Sequence, residues 1–197
     1  MRAALAALLV LASAAHAAPE EFVVEPQHTY PSFEVTHLGI STQRGRFEKT
    51  MGLITLDREA GTGRIDIHID ARTISTGNRV LDAVIRGEDF LNVELHPAMT
   101  FRGRSMVFED GVPKSATGQL TMAGVTRPVE LTVSRFGCTR LPFFVRLTCG
   151  ADVFANLKRS EFGITAFSAF VGEDVRLEIQ IEAVKVEPAA QPPPAGG

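Results

Sequence analysis

The stretch Asp174-Val175-Arg176-Leu177-Glu178-Ile179-Gln180-Ile181-Glu182-Ala183 decides the fold class. Val175, Leu177, Ile179, Ile181 and Ala183 fall on one face, while Asp174, Arg176, Glu178, Gln180 and Glu182 fall on the other. Strict period-two alternation describes a strand with one face on a core and one in water, the habit of antiparallel sheets. Residues 64–70 repeat the pattern, with Ile65, Ile67 and Ile69 opposed by Arg64, Asp66, His68 and Asp70. Further alternating runs at 33–38, 47–56, 99–108, 116–122, 129–136 and 143–154 bring the expectation to about eight strands. Gly-containing turns at 60–63, 109–111 and 123–128 separate several of them, and short turns make neighbours antiparallel. Residues 76–87 break the rhythm. There Val80, Leu81, Val84 and Ile85 fall on one helical face, with Asn78 as N-cap and Gly87 as stop. A second helical turn is expected at 159–163. An apolar-faced sheet of this size closes into a barrel or folds into a sandwich, and periodicity does not choose between them.

The chain has 197 residues, 45% of them hydrophobic and 22% charged, with a net charge of −3. That composition suits one globular domain and gives no grip on a phosphate backbone, so no nucleic-acid partner is expected. Thirteen Phe stand against one Tyr and no Trp, which predicts an apolar interior with few polar handles. Residues 188–197 lack core formers and read as a disordered Pro/Gly/Ala-rich tail.

Met1-Arg2, an Ala/Leu/Val run and Ala15-His16-Ala17 have the layout of a secretory signal peptide cleaved after residue 17. The run is too short to span a bilayer. The domain is therefore expected over residues 18–187. The only cysteines, Cys138 and Cys149, form an even pair in an exported chain, which favours a structural disulfide between them.

Particular residues say more than periodicity. The segments Glu25-Pro-Gln-His28-Thr-Tyr-Pro-Ser-Phe33-Glu-Val35-Thr-His37-Leu-Gly39 and Arg44-Gly45-Arg-Phe47 resemble the opening of the YceI-like polyisoprenoid-binding family. Glu88-Asp89-Phe90 through His96-Pro97 to Phe101, Thr117-Gly118-Gln-Leu120 through Gly124 to Pro128, and Lys158-Arg159-Ser-Glu-Phe162-Gly163 fit the same pattern in order. The resemblance spans roughly residues 22–186. It implies an all-β, lipocalin-like extended antiparallel β-barrel with one or two short helices, located in the bacterial periplasm, whose cavity holds a long polyisoprenoid or isoprenoid quinone. The Cys138/Cys149 pair with Phe143-Phe144 is a departure from the general family pattern.

The expected lining is Phe33, Val35, Phe47, Leu81, Ile85, Phe90, Phe101, Leu120, Phe154 and Phe162, with Leu81 and Ile85 making the helix a lid or plug over one mouth. For each of them core packing is the alternative. His37 and Arg159 are candidate head-group contacts, and for Arg159 the favoured alternative is a salt bridge or backbone brace that holds its turn. Asp82 and Glu88-Asp89 read as a solvated helix face. No metal motif, Gly-rich phosphate loop or nucleophile elbow occurs, so no metal, cofactor or catalytic residue is expected. The reading is a lipid carrier or store, with a lipid-modifying enzyme and an interaction module for a membrane redox protein as rivals. Transient membrane contact and a homodimer stay open.

Overall fold

Alternation carries over into the computed structural model, which describes residues 18–140 and 146–187. The proposed leader, residues 188–197 and Phe143-Phe144 lie outside these residues. The strands are β1 (Glu20–Val24), β2 (Tyr30–His37), β3 (Ser41–Phe47), β4 (Thr50–Asp57), β5 (Thr62–Asp70), β6 (Ile74–Ser75), β7 (Ala98–Glu109), β8 (Val112–Met122), β9 (Val125–Arg140), β10 (Leu147–Lys158) and β11 (Val171–Lys185). Among the described residues a single α-helix, α1 (Arg79–Arg86), stands between β6 and β7.

All pairings are antiparallel, and β11 closes the barrel. Its C-terminal end pairs with β1 at Ala183↔Val24, while its earlier part pairs with β2 from Gln180↔Tyr30 to Val171↔His37. Thus β1 and β2 are two halves of one broken strand. The same holds for β4 and β3, and for β5 and β6, since β4 pairs with β1 and β5 while β3 pairs with β2 and β6. Counting each broken strand once gives an eight-stranded closed barrel. The periodicity-blind choice between barrel and sandwich is settled by the β1–β11 pairing.

Threonines satisfy backbone groups at the breaks. Buried Thr29 Oγ1 accepts from the Glu182 amide at 3.1 Å and donates to the Glu182 carbonyl at 3.2 Å. Thr73 Oγ1 accepts from the amides of Glu48 and Lys49 at 3.1 and 3.2 Å. Two-residue turns at Asp110-Gly111 and Ala123-Gly124, all four residues at positive φ, join β7 to β8 and β8 to β9, the handed turn that matches strand twist.

Helix α1 starts where expected, with the Asn78 side chain accepting from Val80 N at 3.0 Å and Leu81 N at 3.4 Å, and Gly87 caps its end. Its apolar face is narrower than the spacing predicts. Leu81 and Ile85 point inward, whereas Val80 is 75% exposed and Val84 also faces water, because the helix rests on the barrel by one i, i+4 row only. Asp82 corrects the expectation of a solvated face: it is buried, and its Oδ1 accepts from Thr76 N and Oγ1, both at 2.7 Å. That pair ties the helix to the chain leaving β6. The second turn forms as a short 3-10 segment, Arg159–Phe162, ended by Gly163 at φ +80°.

Three strands escaped the periodicity. β1 is brief, β6 has two residues, and the inward positions of β3 include Gln43 and Gly45, which carry no apolar signal.

Candidate functional site: an apolar channel along the barrel axis

The inward rows of the strands surround two cavities. The first, of about 170 Å³, lies toward the β7–β8 turn and the Cys138–Cys149 end of β9 and β10; its walls include Phe22, Ile54, Ile67, Phe101, Leu120 and Phe136. The second, of about 160 Å³, lies toward α1 and is walled by residues such as Phe33, Val35, Leu81, Ile85 and Phe90. Phe47, Met122, Leu157 and Leu177 belong to both walls, so the cavities abut at a shared waist. The quoted face of β11 runs the whole way, with Val175 and Leu177 on the second cavity and Leu177, Ile179, Ile181 and Ala183 on the first.

Glycines shape these walls where rings lie across the neighbouring strand. A Cβ on Gly118 would come 2.6 Å from Phe101 Cζ, so only glycine lets that ring lie flat there.

Ten of the twelve expected site residues border the cavities: Phe33, Val35, His37, Leu81, Ile85, Phe90 and Arg159 the second, Phe101 and Leu120 the first, and Phe47 both. Phe154 and Phe162 do not. On β10 the inward row is Cys149, Ala151, Val153, Ala155 and Leu157, so Phe154 has the opposite parity and its ring lies outside, 6.0 Å from the Arg176 guanidinium. Phe162 is buried in the main core cluster, and its 3-10 turn directs it away from both cavities.

Arg159 is a brace. It is 4% exposed, and its guanidinium donates to four backbone carbonyls: Gly172 at 2.9 Å, Ile164 at 3.0 Å, Ala166 at 2.8 Å and Val171 at 3.1 Å. Those bonds hold the 164–172 loop against the end of β10, leaving the head-group role with little of the side chain to work with. His37 stays half-buried on the second cavity, paired across the ladder with Ser41 and Val171.

No carboxylate lines either cavity, and Thr50 Oγ1, on the first wall, has no hydrogen-bond partner among the described residues. Shifted ionisable groups sit outside: the Arg72 side chain bonded to Asp70 holds that carboxyl below its ordinary value, and Asp174 raises Lys158. No cluster of three or more His, Cys, Asp or Glu able to hold a metal occurs among the described residues. Cys138 and Cys149 are bonded across the β9–β10 ladder, with Cys149 on the first cavity wall. The Arg58 guanidinium donates to Cys138 Sγ at 3.0 Å. Sequence reasoning missed much of the aliphatic wall, because candidates were drawn chiefly from Phe; the inward parity of Ile65, Ile67, Ile69 and Val133 carried the needed signal.

The YceI-like domain family model matches residues 22–183. The chain belongs to the YceI-like family. A UPF0312 protein of Pectobacterium carotovorum is 32% identical over 179 residues, covering 90% of this chain and 92% of its own. Among solved structures, BcnA of Burkholderia cenocepacia superposes with a TM-score of 0.66 at 20% identity, over 81% of this chain and 98% of that one. A polyisoprenoid binding domain from Saccharophagus degradans, implicated in plant cell wall breakdown, gives a TM-score of 0.60 at 13% identity over 84% and 98%. At those identities the two structures share the YceI-like fold with this chain.

Proposed function

We propose that this chain is an exported carrier that holds one long apolar lipid, a polyisoprenoid or isoprenoid quinone, along the axis of its YceI-like barrel in the periplasm. The observation that carries this reading is the pair of abutting apolar cavities with their common waist of Phe47, Met122, Leu157 and Leu177. Each methylene brought from water onto such a wall gains about 0.8 kcal/mol, so a linear tail has a strong drive to thread both cavities. The polyisoprenoid-binding neighbour supports the ligand class, and the leader-like residues 1–17 support export. Binding rather than turnover is the proposed role. The walls are mostly hydrocarbon, and their polar side chains are a few hydroxyls, Gln43, half-buried His37 and Arg159 engaged with backbone, which suits retention of a chemically unchanged ligand.

Mass spectrometry of the organic extract from protein purified from its native host tests the reading. The expected result is one isoprenoid species near equimolar with protein. Protein that carries no lipid, and takes up none when offered polyprenol or quinone, overturns it.

A further inference from the structure

The second cavity is bordered by three parts of the chain: His37 and Gln43 flank the β2–β3 turn, Ile164 and Val171 flank the 164–171 loop, and Leu81 and Ile85 come from α1. Large apolar side chains are exposed on the outer surfaces of the same three parts, where Arg79 at the start of α1 is the exposed charge. Ile40 is 82% exposed, Phe167 52% and Phe170 53%; Leu38, two residues before Ile40, is also exposed, as are Val80 and Val84 on α1. The two loops adjoin: the Leu38 amide donates to the Phe170 carbonyl at 2.6 Å, and Phe167 stacks on cavity-lining Phe90 with centroids 6.0 Å apart.

Two further observations mark this rim. Residues 38–43 and 163–172 contain no Asp, Glu, Lys or Arg. Leu38 and Phe167 both sit at φ +55°, a left-handed conformation that favours glycine or asparagine. Bulky apolar residues are thus held in strained backbone and turned toward water, where folding alone gives no return; strain of this kind gathers at binding surfaces.

We propose that this rim docks on the uncharged interfacial layer of a lipid bilayer, with Leu38, Ile40, Phe167 and Phe170 as the inserting side chains. An apolar rim continuous with an apolar cavity gives a lipid tail a path that never crosses water. The absence of charge at both loop tips fits a zwitterionic surface rather than an anionic one, which polybasic segments recognise. The proposal rests on the lipid-carrier reading for its purpose, but its test does not.

The experiment is flotation of the mature protein with phosphatidylcholine vesicles, comparing wild type with the double variant Ile40→Ser/Phe170→Ser. Neither side chain lines a cavity, so uptake of the uncharged dye Nile red in vesicle-free buffer monitors the cavity separately. Wild type is expected to float and the variant to lose about tenfold or more of its bound fraction, with dye uptake unchanged. Wild type that stays in the soluble fraction, or a variant that floats equally, overturns the proposal. Flotation only with phosphatidylglycerol overturns it in favour of an electrostatic contact. Self-association in sedimentation that the variant abolishes, without flotation, overturns it in favour of a second copy on the rim. Failure of dye uptake with flotation intact supports the docking surface and counts against the carrier reading instead.

Discussion

Phe33 and Gly45 face each other directly in the β2–β3 ladder, and a Cβ on Gly45 would lie 2.6 Å from Phe33 Cε1. The ring of Phe33 therefore occupies the space a side chain at position 45 would take, and it forms part of the second cavity wall. Gly45→Val is expected to push the ring off its place and to cost about 1–3 kcal/mol. Denaturant unfolding measures the cost, and dye affinity measures the wall; an unchanged affinity would separate Phe33 from the binding surface.

Phe101 and Phe154 offer a matched contrast. Both rings sit on long central strands, but only Phe101 borders a cavity. Phe101→Ala should reduce lipid retention while costing less than the roughly 3–5 kcal/mol of a fully packed ring, because part of its surface already faces space. Phe154→Ala should leave retention at the wild-type ratio. The reverse order in lipid-extract mass spectrometry would place the ligand elsewhere.

Arg159 joins four carbonyls that no shorter or unforked cation can reach together. Arg159→Lys is expected to destabilise by about 2–4 kcal/mol through carbonyls left unpaired, and to raise amide exchange across residues 164–172 first. Exchange that rises uniformly over the barrel would mean the brace is not local.

The Cys138–Cys149 bond links residues eleven apart in sequence, with Cys149 on the first cavity wall. Reduction is expected to lower stability by about 3 kcal/mol, with a mass change on alkylation only after reductant. Two thiols alkylated without reductant would remove the bond from the native state.

Asp70 accepts from the Arg72 amide at 3.1 Å and from the Arg72 guanidinium at 2.8 and 2.9 Å, capping the 3-10 turn between β5 and β6. Its carboxyl pKa is lowered, with the Arg72 side-chain bond the largest cause. A lowered folded-state pKa stabilises the protein fully above the ordinary aspartate value near 3.9, and that contribution is lost as pH falls through the lower folded value. Asp70→Ala should cost about 1 kcal/mol at neutral pH and flatten the acid limb of the stability curve. An acid limb identical to wild type would assign it to other carboxylates.

The eight strands were legible because each carries one apolar row, and α1 was legible because Asn78 and Gly87 punctuate it. Closure was not, since it depends on β11 overlapping both β1 and β2, a register no local pattern encodes. Most of the expected lining comes together around the channel, but Phe154 shows the limit of choosing by residue type: one step along the strand reverses its direction. Asp82 shows another. Its burial is explained by Thr76, six residues away and outside the helix.

The paired breaks between β1 and β2, β3 and β4, and β5 and β6 lie side by side across neighbouring strands, and Phe47, at the end of β3, belongs to the constriction that divides the channel. A waist formed by four side chains that line both cavities would select by thickness. A flexible chain one methyl branch wide can be drawn through it, whereas a rigid fused-ring molecule of equal oil solubility would stop on one side. Discrimination among lipids would then depend on girth and suppleness more than on the chemistry of any polar end. Competition of farnesol and of cholesterol against Nile red reads this directly, and equal displacement by the two would show that the constriction opens freely.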